Sequence, residues 1–347
     1  MKIHYPKITY NKAERAHLFP LLKPFIKKGE FNDEERISTY AISEQDISFV
    51  DKLEDADIGI LPMSWNYYVT KKKQKEALDF IDLANGLDKK VWVIMLGDMG
   101  LVIPDLKNIV LFRASGYRSK LPITHQGLPI FITDPLKAYY NTTNPIPHAY
   151  SEKPKVGFCG LATNDKWFAA KTLSKIALKN MVCFLKINPQ TPEQLIAAPY
   201  FRYQCLKPLM AHQGIDDKVI LREQYRAGAI TKAQREQSTL EFYNNIQESD
   251  YILCARGAGN FSVRLYETLA MGRIPIYINT DGLLPLADKI DWKKHLVWIE
   301  KHEISMIAEK VIAFHQNLNH KQLNSMFISN RLLWENNLQT GTFFKKI

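Results

Sequence analysis

The residues best suited to chemistry lie in one stretch, residues 251–280, which reads Y-I-L-C-A-R-G-A-G-N-F-S-V-R-L-Y-E-T-L-A-M-G-R-I-P-I-Y-I-N-T. The pattern predicts a strand, a glycine loop, a helix closed by Gly272 and a second strand. Arg256-Gly257-Ala258-Gly259 lets backbone approach a ligand closely, and Asn260 is placed to cap the helix that follows. A helix start offers free N–H groups and a positive dipole end, which suits an anion such as a diphosphate. Projected at about 100° per residue, Phe261, Leu265 and Leu269 share one side and Val263, Tyr266 and Ala270 another, leaving a wedge with Arg264, Glu267 and Met271. Arg264 would neutralise phosphate there, and Glu267 would accept hydrogen bonds from a ribose diol. The alternative is a solvated i,i+3 ion pair worth roughly a few tenths of a kcal/mol, which would give no reason for the glycines and Arg256 upstream.

Positioning such a loop requires an α/β framework, and the rest of the chain is patterned accordingly. Strands are expected at 58–62, 91–97, 109–113 and 129–133, with helices at 43–55, capped by Ser43, and at 71–85, closed by Gly86. A polar stretch, 141–155, carries Pro145, Pro147 and Pro154 and reads as a linker. Beyond it the pattern predicts strands at 155–159, 181–187, 251–254 and 274–278. Helices are expected from about Asp165 with Asn164 as cap, at 232–247 capped by Thr231, at 261–271 and at 303–317. The expected domains are 1–145, 146–325 and a C-terminal helical tail, 326–347, returning to the first domain.

The 347 residues, 46% hydrophobic and 24% charged, exclude disorder, collagen and coiled coil. The formal charge is +10, unevenly spread: residues 1–150 hold 20 basic and 18 acidic side chains, the remainder 26 and 18. Nucleic acid, anionic membrane and a phosphorylated small molecule all fit that excess, but no zinc finger, RNP or helix-turn-helix pattern is present, so nucleic acid is not expected. Cys159, Cys183, Cys205 and Cys254 sit in apolar surroundings without C-x-x-C spacing and read as buried thiols, and no His/Cys pattern suggests zinc. No apolar run approaches the ~18 residues of a membrane span, and the N-terminus lacks a signal-peptide core. A cytoplasmic location is expected.

Residues 251–285 resemble the signature of the exostosin family, glycosyltransferase family 47. The matching positions are Cys254, Arg256, Gly257, Gly259, Ser262, Arg264, Leu265, Glu267, Leu269, Gly272, Ile274 and Pro275, then Asp281 and Leu284-Pro285. Residues 241–249, Asp291-Trp292 and 295–300 extend the likeness, and Asp55-Ala56-Asp57-Ile58-Gly59-Ile60-Leu61-Pro62 is similar to the family's N-terminal strand. Arg273 stands where many members carry Cys.

The resemblance implies a GT-B architecture, two Rossmann-like domains facing each other across a cleft, with acceptor on the first and nucleotide-sugar on the second. It implies inverting, metal-independent sugar transfer, with UDP-sugar the preferred donor and an oligosaccharide or lipid-linked glycan the acceptor. Arg256 and Arg264 become diphosphate contacts and Glu267 the ribose ligand, with Gly257, Gly259, Asn260 and Ser262 lining the donor. Gly160, Thr163 and Asn164 become a second anion-facing turn. The compact length and few cysteines are those of a bacterial-type member building surface polysaccharide at the inner face of the plasma membrane. A nucleotide-sugar epimerase and a non-catalytic sugar-binding relative are the alternatives.

An inverting transfer needs a base. Asp98, after an apolar strand and between Gly97 and Gly100, is the first candidate, with a simple turn residue as the equal alternative; His125 and Asp134 follow. Asp55 and Asp57 form a D-x-D that precedes a strand rather than following one, so no metal is expected there. The lysine run 71–75, after Trp65, Tyr67 and Tyr68, is either a solvated helix face or a contact with anionic lipid.

Overall fold

The computed structural model describes residues 1–26 and 31–347. Continuous apolar runs form the central strands: in Lys90–Met95 every residue after Lys90 is buried, as expected for a sheet covered on both faces. Six strands make the first sheet, β1 (Lys2–His4), β2 (Ser48–Phe49), β3 (Ile58–Ile60), β4 (Lys90–Met95), β5 (Ile109–Arg113) and β6 (His125–Gly127). Five make the second, β7 (Lys155–Leu161), β8 (Asp216–Arg222), β9 (Tyr251–Cys254), β10 (Ile274–Asn279) and β11 (Val297–Glu300). All pairings are parallel, in the orders β2-β1-β3-β4-β5-β6 and β11-β10-β9-β7-β8. Each sheet therefore reverses direction once, between β1 and β3 and between β7 and β9, and the carboxyl ends flanking such a reversal open a crevice for ligands.

Several expectations hold to the residue. The helix Lys232–Gln247 begins with a capping box in which Thr231 Oγ1 accepts from Gln234 N at 3.2 Å and Gln234 Oε1 accepts from Thr231 N at 3.0 Å. β5 and β9 also match, and all four cysteines are free and buried.

Others are corrected. Residues 43–55 form no helix: Ser43 Oγ donates to Asp33 Oδ2 at 2.7 Å and accepts from Gln45 N at 3.2 Å, a local turn in place of a helix cap. The expected helix 71–85 begins later, at Gln74, and runs to Gly86; a separate helix, Trp65–Thr70, precedes it, with Lys72 at φ 56 between the two. No strand forms at 129–133, where Pro129 lacks a donor; the strand lies earlier, at β6. The expected strand 181–187 is instead the end of the helix Lys166–Phe184, whose cap is Asp165 rather than Asn164. The helix after the glycine loop starts at Val263, so Ser262, not Asn260, is its N-cap.

The two sheets do not hang on a linker alone. One apolar cluster runs from Phe19 and from Trp92 and Phe112 of the first sheet through Leu265 and Met271 to Trp334 and Phe344. The ring of Phe344 lies 5.2 Å from Phe19, 5.3 Å from Phe112 and 5.6 Å from Trp92, so the C-terminal helix Thr340–Phe344 belongs to the first core. Arg273 is fully buried and donates to Ile146 O at 2.8 Å and Gln247 O at 3.0 Å, fastening the proline-rich segment to the second sheet. Burial pulls its guanidinium down to about 10, with Asp250 opposing the shift.

Candidate functional site

The reversal between β7 and β9 is where the second sheet gathers its cations. Arg264, on the helix Val263–Ala270, donates from Nη2 to Cys159 O at 2.9 Å, and its Cζ lies 4.3 Å from the Phe158 ring centre and 5.6 Å from that of Phe242. A Cβ on Gly160 would come within 2.7 Å of Arg264 Nη2, so a side chain at this position at the end of β7 would displace that guanidinium. Arg202, from the helix Ala198–Ala211, donates to Arg256 O and Leu161 O, both at 3.2 Å, and thereby links the ends of the two strands. Its pKa is depressed to about 10, first by burial and then by the charge of Arg264. Arg222, at the end of β8, is held by Ser238 O at 2.8 Å and by the Glu241 carboxylate. The helix start adds its own field, since Ser262 makes no side-chain cap bond and leaves the first turn uncovered.

Glu267 does not pair with Arg264 among the described residues. It accepts from the Tyr243 hydroxyl, and burial raises its pKa from the ordinary 4.5 to about 7, against the opposing influence of Arg264, Tyr243 and Arg226. A carboxyl whose folded pKa is raised favours folding when protonated; that advantage is lost as pH rises from about 4.5 to about 7. Glu267→Gln is therefore expected to gain stability over the wild type across that window and hold a constant margin above it. Denaturant titrations at several pH values check this, and a margin independent of pH would refute it.

Two residues of the motif are committed elsewhere. Arg256 is 4% exposed, and its Nη1 donates to Tyr117 Oη at 3.2 Å while Nη2 donates to Glu193 Oε2 at 3.3 Å and Ala258 O at 3.0 Å. Tyr117 Oη donates in turn to Glu193 Oε2 at 2.7 Å. The guanidinium thus ties the glycine loop to a tyrosine of the first half rather than facing an open anion site. Asn260 is likewise saturated: its backbone N donates to Ser115 Oγ at 2.9 Å, Nδ2 to Gly116 O at 2.9 Å, and Oδ1 accepts from Thr280 Oγ1 at 2.7 Å. Asp281 accepts from Ser119 N at 3.0 Å and Ser119 Oγ at 2.6 Å, completing the seam. Gly257 is partly exposed, with its N donating to Phe261 O at 2.9 Å.

Gly259 brings the first half to the motif. A Cβ there would stand 2.9 Å from Asp98 Cα, so the loop after β4 lies directly on the glycine loop. Asp98 is exposed, and its carboxylate makes no hydrogen bond among the described residues, unlike a turn residue bonding its own backbone. His125, on β6, is 6% exposed, and burial together with Arg113 and Arg118 lowers its pKa to about 4. Asp134 caps the helix Pro135–Tyr140, accepting from Leu136 N at 3.1 Å, and pairs with Arg331 at 2.9 Å, so both its oxygens are occupied.

The remaining candidates separate as follows. Thr163 Oγ1 accepts from Asp165 N at 3.1 Å, and Asn164 is exposed. The Asp165 carboxylate accepts from Trp167 N at 2.8 Å and Phe168 N at 3.0 Å, filling with its own charge the helix start that the second anion-facing turn would have used. Asp57 accepts from Lys2 N at 2.7 Å. In the lysine run, Lys71 pairs with Glu14 at 2.5 Å and Lys73 with Glu76 at 2.9 Å. Sequence reasoning missed Arg202, Arg222, Glu193 and Tyr117, which lie outside the motif in segments without strong periodicity.

Residues 200–313 match the Exostosin GT47 domain. A probable glucuronosyltransferase 47 A of Physcomitrium patens is 33% identical over 82 residues, covering 24% of this chain and 17% of that protein. Exostosin-1 of Drosophila melanogaster is 30% identical over 90 residues, 24% of this chain and 12% of that protein. The probable beta-1,4-xylosyltransferase IRX10 of Arabidopsis thaliana is 33% identical over 63 residues, 18% and 15%. The matched stretches thus span 17% or less of these relatives. Solved structures of similar arrangement include TarM, with TM-score 0.36 and 9% identity over 74% of this chain and 49% of that one. WaaG, a glycosyltransferase involved in lipopolysaccharide biosynthesis, has TM-score 0.32 and 10% identity over 85% and 75%.

Proposed function

We propose, from the premise that this chain belongs to the exostosin GT47 family through residues 200–313, that it is a glycosyltransferase using a nucleotide-sugar donor. The observation that carries the reading is the union of Arg264, Arg202 and an uncapped helix start at the strand reversal, with Glu267 one helical turn further along. In this reading Arg264 and Arg202 neutralise the leaving diphosphate. Glu267, ionised, accepts from the ribose hydroxyls. Asp98 takes the proton from an acceptor hydroxyl as its oxygen bonds to the anomeric carbon; the bond from that carbon to the diphosphate oxygen breaks in the same displacement, and configuration inverts. The products are the extended glycan and a nucleoside diphosphate.

The preferred donor is a UDP-sugar and the acceptor a glycan or lipid-linked glycan; the relatives named glucuronosyltransferase and xylosyltransferase support sugar transfer as such. Metal independence follows from the cationic side chains taking over charge neutralisation; activity in EDTA is expected to equal that in buffer, and strict dependence on added Mn²⁺ would overturn it. The reading also places the enzyme on the cytoplasmic side, peripheral to the membrane. A panel of nucleotide-sugars screened for thermal stabilisation tests the donor class, since a ligand at a hundred times its Kd adds about 2.7 kcal/mol. Calorimetry with UDP on Glu267→Ala tests the ribose role, which unchanged affinity would remove.

A further inference from the structure

The helix Lys166–Phe184 is the most unusual surface of the molecule. It has 19 residues, yet only Ala169 and Cys183 are buried. At about 100° per residue, Trp167, Leu178, Met181 and Leu185 fall within about 40° of one line, with Lys171 and Ser174 between Trp167 and Leu178. Such a stripe ordinarily faces a core, but here it faces outward: Trp167 is 86% exposed and Leu178, Met181 and Leu185 are 61%, 53% and 63% exposed, with Phe184 and Ile187 beside them at 73% and 71%. Between the Asp165 cap and Glu193 the charge on this surface has one sign. Residues 166–192 contain Lys166, Lys171, Lys175, Lys179 and Lys186 and no Asp or Glu.

We propose that this helix and the turn after it are an interfacial segment that lies in the plane of an anionic phospholipid surface. Exposed apolar side chains with an aromatic near each end, interspersed with lysines, suit a segment that buries its apolar groups at the headgroup boundary and meets lipid phosphate with its ammonium groups. The absence of acidic groups selects an anionic partner, and no described helix is long and apolar enough to cross a bilayer. The lysine run 71–75 suits this role less well, because Lys71 and Lys73 are already paired with Glu14 and Glu76.

The segment adjoins the cleft. Val102 N donates to Pro189 O at 2.7 Å, Leu101 bridges to Gln190, and Lys179 Nζ touches Met99 Sδ, so the C-terminal end of the helix rests on the loop that carries Asp98. A membrane bound here would lie beside that loop and deliver a lipid-linked acceptor to it; this consequence rests on the glycosyl-transfer reading, whereas lipid binding does not.

The test is co-sedimentation of the full chain with phosphatidylcholine vesicles with and without phosphatidylserine, at low and high salt. Binding is expected only with phosphatidylserine and is expected to weaken as salt rises. The double variant Trp167→Ser/Phe184→Ser should partition at least about tenfold less, and Lys171→Glu/Lys175→Glu at least about twentyfold less. Lys72→Glu should bind as the wild type does. Unchanged thermal melting is expected for every variant because the altered side chains are exposed, which separates lost binding from misfolding. Equal binding to neutral vesicles, insensitivity to the helix variants, or a dimer in light scattering that those variants dissolve would each overturn the proposal. UDP calorimetry run in parallel keeps the two readings apart: retained UDP affinity without vesicle binding defeats this one alone, and vesicle binding without UDP affinity defeats only the donor assignment.

Discussion

Asp98→Asn is expected to lower turnover about a hundredfold or more while leaving UDP affinity near that of the wild type. The split follows from geometry. Asp98 meets the motif only through its backbone, against Gly259, and none of the described groups that gather at the β7 and β9 ends bonds to its carboxylate. Asparagine preserves size and turn conformation but cannot accept the acceptor proton, so the loss falls on kcat and not on donor binding. His125 offers no equivalent route, since burial keeps it neutral and closed off, and the oxygens of Asp134 are held by Arg331 and the helix start. Wild-type turnover in Asp98→Asn would remove Asp98 as the base.

Arg256→Met is expected to cost about 3–5 kcal/mol of folding stability, because it leaves the Glu193 carboxylate buried without its counter-charge. Both side chains are nearly inaccessible, at 3% and 7%, so solvent cannot substitute for the missing partner. Combining Arg256→Met with Glu193→Leu should recover most of the loss, since removing both charges leaves neither stranded. Urea denaturation of the single and double variants measures this directly. A single variant with wild-type stability but weakened UDP affinity would return Arg256 to the diphosphate role that the family resemblance implies.

Legibility in the sequence followed the range of the forces involved. The helix Lys232–Gln247 and β9 were readable to the residue because caps, periodicity and apolar runs are local. The false helix at 43–55 failed because Ser43 bonds Asp33, ten positions away, a competitor that a local pattern does not contain. The helix Lys166–Phe184 misled for a related reason: its C-terminal apolar residues look like a buried strand when burial is assumed, and Met181 and Phe184 are exposed. Arg273, uninterpretable as a departure from the motif, acquires a role only once 146–148 folds over it.

By itself, then, the sequence determined the two-sheet α/β plan, the glycine loop and the presence of Arg264 and Glu267 on one strip of a helix. Each of these is encoded within a few turns of chain. Only the tertiary structure decided what the charges do. The β7–β9 reversal assembled Arg202 with Arg264 from segments about sixty residues apart in sequence, whereas Arg256 was drawn into a buried pair with Glu193 and Tyr117. The physical reason is burial: inside a protein a guanidinium takes whichever acceptor the fold brings to it, and motif spacing does not specify that acceptor.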